Sequence, residues 1–300
     1  MSRRSWLLFA ALCVIWGIPY LMIRVAVRDV SPGALVFART AIGALLLAPL
    51  AVSRGSLRPV LRRWRPLLVY TVVEVAVPWL FLSDAETKLS SSMSGLLVAA
   101  VPLVGVVVAR AQRSDDRVDP VRAVGLLLGI GGVVALLGLD VSGVHAAPLA
   151  EMAVVVVAYA LGPAIFSRYL ADVPGIGVVV LSLSLTALVY LPVAIVDPPK
   201  HLPANAVWSV LGLASICTAL AFVVFFALIS AIGPARATVI TYVNPAVAVL
   251  LGVLLLDEKF TVGMAVGFPM ILAGSVLAAR RRSYRPGESM PVAVAEPATS

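Results

Sequence analysis

Long apolar runs alternate with short polar links along this chain, and the runs share one length. Ser5 to Ile23, Leu89 to Ala109, Val173 to Val196, Ala237 to Leu256 and Phe260 to Ala279 hold no charged residue. Each matches the roughly 20 residues that a helix needs to cross the hydrocarbon core of a bilayer. Membrane-spanning strands are about 9 to 11 residues long and alternate apolar with polar positions; these runs do neither. Adding the runs interrupted by a charge predicts ten helices, near residues 5–25, 31–52, 66–84, 89–109, 121–139, 149–168, 173–196, 206–232, 235–256 and 260–280. The expected fold class is an all-α integral membrane protein with ten transmembrane helices.

The second half of the pattern repeats the first. Placing Pro102 over Pro245 brings Asp115-Asp116-Arg117 over Asp257-Glu258-Lys259 with one residue of slippage, and sets Gly125 and Gly132 over Gly267 and Gly274. Each copy holds five spans, an odd number, so the second enters the membrane upside down relative to the first. This divides the chain into a five-helix repeat at residues 1–145, an inverted five-helix repeat at 146–282 and a tail at 283–300. The tail is rich in Pro, Ser, Ala and Glu without a periodic apolar face, and is expected to be disordered in the cytoplasm. Inverted repeats recur in secondary transporters, whose substrate site lies near the midplane where the repeats meet.

Composition agrees with a life in lipid. Of 300 residues 61% are hydrophobic and 13% charged, too few to cover a soluble surface. The net charge of +8 sets topology rather than a nucleic-acid footprint. With the N terminus in the cytoplasm, seventeen of the 23 basic residues fall inside, five fall outside (Arg24, Arg28, Lys88, Lys200, Lys259), and Arg39 lies within a span. Both termini are therefore expected in the cytoplasm of a multi-pass protein of the plasma or inner membrane, with lipid headgroups and not nucleic acid as the partners of these arginines.

Other chemistry is sparse. Ser2-Arg3-Arg4 before an apolar run resembles a twin-arginine signal, but the run has no small-x-small cleavage site and leads into another span. Cys13 and Cys217 sit singly in spans and read as small packing residues, while His145 and His201 lie in outer loops without partners at ligand spacing. No metal or cofactor is expected. HExxH and GxSxG are absent, and an embedded lipid enzyme would need an intramembrane cluster of His, Asp or Glu that the chain lacks. A non-enzyme is expected. Gly125 with Gly129, and Gly263 with Gly267, are GxxxG patterns that let helix backbones approach in lipid.

Charges inside spans are the sharpest signal, since each costs about 2.5 to 3.5 kcal/mol at mid-helix and so faces protein or water. Arg39 lies about eight residues into the second helix and Glu74 about eight into the third, so both sit about 12 Å deep, from opposite faces. One reading pairs them as a structural ion pair. The other gives Glu74 a transport role, because a desolvated carboxyl holds a proton tightly and can couple transport to protons, or can act as counter-ion to an organic cation. Asp84, Glu86, Lys88 and Glu151 lie near helix ends, where snorkelling into water is cheap. The candidate substrate-binding residues are Glu74, its repeat counterpart Thr218, and the mid-span polar and aromatic residues Trp16, Tyr20, Trp79, Tyr159, Tyr242 and Asn244. Pro102 and Pro245 are candidate hinges, since proline removes a backbone donor and frees a carbonyl one turn earlier.

Residues spread along the chain resemble the drug/metabolite transporter superfamily, in its form with two EamA-type repeats. Ile15-Trp16-Gly17 before Pro19-Tyr20, and Ser31-Pro32 leading to Phe37-Ala38-Arg39, are similar to its opening helices. Ala227-Leu228 through Gly233-Pro234-Ala235-Arg236-Ala237, then Asn244-Pro245, Asp257-Glu258-Lys259 and Gly267, resemble its closing stretch. The serine-rich Lys88 to Ser94 departs from the family pattern, as does Asp116 where Glu is common. The resemblance implies a bundle with a central cavity lined by the first, third and fourth helices of each repeat. It also implies export or exchange, by alternating access, of a small metabolite such as an amino acid or nucleobase, with a proton as candidate co-substrate. A multidrug or organic-cation exporter, or a lipid-type flippase, is the alternative within the same superfamily. Oligomeric state is left open.

Overall fold

A computed structural model describes residues 2–111, 120–140, 146–199, 201–233, 237 and 240–279. His145, the Asp115-Asp116-Arg117 motif and the tail at 283–300 lie outside these. All regular structure among the described residues is helical. Helix α1 runs Arg3–Gly17 and resumes as Pro19–Ala26; α2 is Pro32–Ser53, followed by a short helix, Leu57–Leu61. Helix α3 is Trp64–Ala85, α4 is Ser91–Val98 with Val101–Ala111, α5 is Pro120–Asp140, α6 is Ala146–Tyr169 and α7 is Gly175–Val196. Helix α8 is Ala204–Ile232, α9 is Ile240–Leu255 and α10 is Val262–Ala279. These are the ten places where the apolar runs predict helices. Among the described residues, seven (α1 to α4 and α6 to α8) are long and apolar enough to cross a membrane, while the apolar stretches Ala123–Leu137 of α5, Ile240–Leu255 of α9 and Val262–Ala278 of α10 are shorter.

Local sequence explains the ends. Ser2 and Ser90 cap α1 and α4 by accepting from the amides of Ser5 and Met93, each at 3.1 Å. Pro32 opens α2 and Pro19 the second part of α1, in the first helical turn where a missing amide costs nothing. The apolar side chains left outside, such as Leu45, Leu127, Leu188 and Leu254, are more than half exposed. Such a surface is what lipid covers.

The two halves pack with exchanged partners. Helix α2 packs on α7, α4 on α9 and α5 on α10; α1 packs on α8 and α9, as α6 packs on α3 and α4. Replacing each helix by its counterpart five places along leaves these pairings unchanged. Helices α5 and α10 cross with backbone against backbone. A Cβ on Gly132 would lie 2.8 Å from Gly267 O and 2.7 Å from the Ile271 amide nitrogen, and one on Gly125 would lie 2.9 Å from Gly274 O. The touching pairs, Gly132 with Gly267 and Gly125 with Gly274, turn into each other under the sequence register that equates Gly125 with Gly267. Glycine is needed here because backbone meets backbone.

Candidate polar centre between the repeats

Two wide turns place the central side chains. Thr71–Ala76 in α3 and Ser215–Leu220 in α8 are π-helical, at corresponding points of the two halves, and they carry Glu74 and Thr218. The first precedes Pro78, which cannot donate to the turn before it. The second has no proline nearby; instead Thr218 Oγ1 donates to Leu213 O at 2.8 Å, five residues back, and holds the widened turn open. From α7, Tyr190 donates to the carbonyl of Ala76, at the end of the first wide turn, at 3.0 Å.

Arg39 occupies the centre. It is 8% exposed, its Nε donates to Thr218 Oγ1 at 3.0 Å, and its guanidinium lies over the Trp79 ring at 3.6 Å from the centroid. Helix α2 can bring it there because Gly43, one turn on, lets α2 approach Thr218: a Cβ at Gly43 would sit 3.0 Å from Thr218 Cγ2. Tyr20, Tyr159 and Cys217 lie within electrostatic reach of the guanidinium. Tyr20 and Trp79 are each 7% exposed and Thr218 is fully buried, so this centre is closed to solvent. Two concavities of about 520 and 300 Å³ at the bundle ends are lined by none of the eight predicted binding residues.

The expected ion pair between Arg39 and Glu74 is not formed. Arg39 turns to Thr218 and Trp79, while Glu74 points at α6, where Gly162 leaves room for its carboxyl: a Cβ at 162 would fall 3.1 Å from Glu74 Cβ and closer still to the carboxyl carbon. Glu74 is half-buried as a residue, yet its Oε2 is shut from solvent and has no hydrogen-bond partner. Tyr159 lies within electrostatic reach of both Arg39 and Glu74.

The other predicted residues divide. Tyr20, Trp79, Tyr159 and Thr218 gather around Arg39. Trp16 stands apart, with its ring 4.9 Å from that of Phe225 and 6.1 Å from that of Phe222 on α8. With its amide nitrogen toward the two carbonyls, Asn244 donates to Cys13 O at 3.1 Å and Ile240 O at 3.0 Å, tying α9 to α1. Tyr242 is half-buried on the same helix. Of the two expected hinges, α4 is interrupted at Ala99 and Ala100, just before Pro102, whereas α9 runs unbroken through Pro245.

One expectation about helix ends is overturned. Asp84 and Lys88 do form a half-exposed pair at 3.8 Å, but Glu86 does not snorkel. It is fully buried, and neither carboxyl oxygen has a partner. Burial holds this carboxyl well above the usual carboxylate range and the charge of Glu258 adds to that, against the pull of Arg24 and Arg39. Sequence reading also missed the Thr71 to Ser182 hydroxyl pair at 3.0 Å, which joins α3 to α7. Among the described residues, no group of three or more His, Cys, Asp or Glu side chains is placed to hold a metal.

Comparison with known proteins agrees with this architecture. A family model described as the EamA-like transporter family matches residues 4–138 and again 149–280. An "uncharacterized transporter" of Archaeoglobus fulgidus is 23% identical over 93% of this chain and 100% of its own length. The "uncharacterized inner membrane transporter YedA" of Escherichia coli is 28% identical over 81% of this chain and 79% of its own. The "uncharacterized transporter YoaV" of Bacillus subtilis is 23% identical over 87% and 91%. A solved crystal structure superimposes with a TM-score of 0.65 over 93% of this chain and 97% of its own, and at 22% identity this likeness is one of fold. The protein is a multi-pass membrane transporter.

Proposed function

The chain belongs to the EamA-like transporter family, and from that premise we propose that it exports or exchanges a small zwitterionic metabolite, such as an amino acid, by alternating access. In this reading ten spans form two inverted five-helix repeats in the plasma or inner membrane, with both termini cytoplasmic. The exchanged helix pairings and the paired π-helical turns support the repeat. The arginine count supports the orientation.

One observation carries the substrate class. Arg39 and Glu74 flank Tyr159 with opposite charge, yet among the described residues neither has an ionic partner. Unpaired charge in a bilayer core is costly and marks substrate or ion pathways. A molecule bearing a carboxylate and an ammonium supplies what both side chains lack: the carboxylate to Arg39, the ammonium to Glu74, with Tyr20 and Trp79 as walls. When no ammonium is bound, Glu74 takes a proton instead, which couples the two.

The test is a screen in proteoliposomes with and without a proton gradient, using amino acids, nucleobases and organic cations. Uptake of a zwitterion that is weakened separately by Arg39→Met and by Glu74→Gln is expected. The orphaned Glu74 oxygen beside aromatic rings favours a second reading, an organic-cation exporter. Transport confined to cations without a carboxylate, and unaffected by Arg39→Met, would replace the first reading with the second.

A further inference from the structure

The outer end of the bundle holds an acidic cluster that the central site does not use. Glu258, in the link between α9 and α10, reaches across to the start of α4: its Oε1 accepts from the Ser91 amide at 2.7 Å, and its Oε2 accepts from the Ser92 amide at 2.9 Å and from the Ser92 hydroxyl. Gly252 lies under this contact, where a Cβ would meet Glu258 Oε2, Ser92 Oγ and Ser91 Oγ. The clasp joins the second repeat to the first. The carboxyl thus meets three donors at the positive end of a helix.

Glu86 ends α3 only five residues before Ser91, and its environment is the reverse. It is fully buried, no donor reaches either oxygen, and Ser91 Oγ and Ser94 Oγ are also buried without partners. Arg24 donates to the backbone carbonyls of Glu86 and Thr87 at 2.5 and 3.0 Å and leaves the carboxyl alone. A buried carboxyl without donors is the neutral acid. The groups that act on it are Arg24 of α1, Arg39 of α2 and Glu258, and it lies within electrostatic reach of Tyr20 of α1 and Tyr159 of α6.

We propose that Glu86 is a proton-binding site that controls the Glu258 clasp: protonated, it lets the clasp close the outer end of the bundle, and ionised, it releases it. Ionisation adds a second negative charge beside Glu258 and offers Arg24 a carboxylate in place of two carbonyls. Both changes act on the turn that positions Ser91 and Ser92. The serine-rich start of α4 thus supplies the receiving half of the clasp. The proposal rests on the alternating-access reading, which requires an outer gate, but its test needs no substrate.

Hydrogen exchange of the full chain in lipid nanodiscs, followed by mass spectrometry on peptides covering Ser90 to Leu97, reads the clasp directly once corrected for the intrinsic effect of pH. Exchange of the Ser91 and Ser92 amides is expected to be slow in acid and to quicken about tenfold as pH rises, the effect of about one pK unit of coupling between the carboxyls. Glu86→Gln, a neutral stand-in for the protonated acid, should keep these amides protected across the series, and Glu258→Gln should expose them at every pH. A flat series in the wild-type chain overturns the proposal whether or not the variants fold. So does a Glu86→Gln protein that follows the wild-type curve. Either result leaves the transport reading standing, and failure of the proteoliposome screen leaves this result standing.

Discussion

Replacing Arg39 with methionine separates what this residue does for the fold from what it does for substrate. Insertion of a charged residue at mid-helix costs about 2.5 to 3.5 kcal/mol. Against this stand a charge-assisted hydrogen bond to Thr218, about 1.5 to 3 kcal/mol, and a desolvated cation–π contact with Trp79 at 3.6 Å, about 2 kcal/mol. The two sides nearly balance. Thr218 keeps its own bond to Leu213 O, so no buried hydroxyl proton is orphaned, and the flexible methionine chain refills most of the space. Arg39→Met is therefore expected to change unfolding free energy by less than about 2 kcal/mol. Arg39→Ala should cost about 2 to 5 kcal/mol more, because it leaves a cavity against Trp79. Reversible unfolding in mixed detergent micelles measures the first quantity, and counterflow in proteoliposomes measures transport. The methionine protein should be folded and unable to move a carboxylate-bearing substrate. Equal destabilisation by Met and Ala would show that the charge itself holds the fold, and full transport by a folded methionine protein would remove Arg39 from the binding site.

The remaining predictions test the repeat, the topology and the carboxyls. Gly132→Ala should sharply lower folded yield, since its Cβ would meet the backbone of α10 at 2.7 to 2.8 Å, whereas Gly105→Ala has nothing within 4 Å and should be neutral or gain roughly 0.5 to 1 kcal/mol as a helix Gly→Ala change. Single cysteines replacing His145, His201 or Asp257 should react with an impermeant thiol reagent from outside, and those replacing Arg63, Arg117 or Arg285 only from inside; outside labelling at Arg117 would defeat the inverted repeat. Glu74→Gln should abolish gradient-driven accumulation while sparing counterflow exchange if Glu74 carries the coupling proton, and should weaken both if it only binds cationic groups. The raised value of Glu86 means that the folded protein keeps a proton the unfolded chain has lost above about 4.5, so stability should fall as pH climbs from there through the folded value, and Glu86→Gln should flatten that slope.

The helices were legible because lipid imposes one rule on every residue of a span. Apolar runs of about 20 residues can only be helices there, and ten such runs, five of them free of charge, predict the ten places where helices stand. The repeat was legible for a related reason: glycines that must meet backbone to backbone admit no substitute, so Gly125, Gly132, Gly267 and Gly274 keep their spacing in both halves while the apolar residues between them drift. Glu86 was not legible. Position near a helix end gives its height, but whether a carboxylate at that height meets water or protein depends on what packs over it, here α1 and the link carrying Glu258 from residues more than 160 positions away.

The missed pairing of Arg39 and Glu74 has a more specific cause. Counting residues along a regular helix gives depth and, at 100° per residue, the direction in which each side chain faces. A π-helical turn holds an extra residue, so everything on one side of it is rotated by about 100° relative to the count. Glu74 and Thr218 both sit inside such turns, which is why depth alone placed Glu74 opposite Arg39 while the structure sets it against Gly162. Thr218 widens its turn by spending its hydroxyl proton on Leu213 O and so presents its oxygen to Arg39; Glu74 has no such local bond and keeps its carboxyl uncommitted. One repeat thus uses the wide turn to fix a cation in place, and the other uses it to aim an unpaired acid. On the proposed reading, that asymmetry between two copies of one design makes room for a substrate with two different ends.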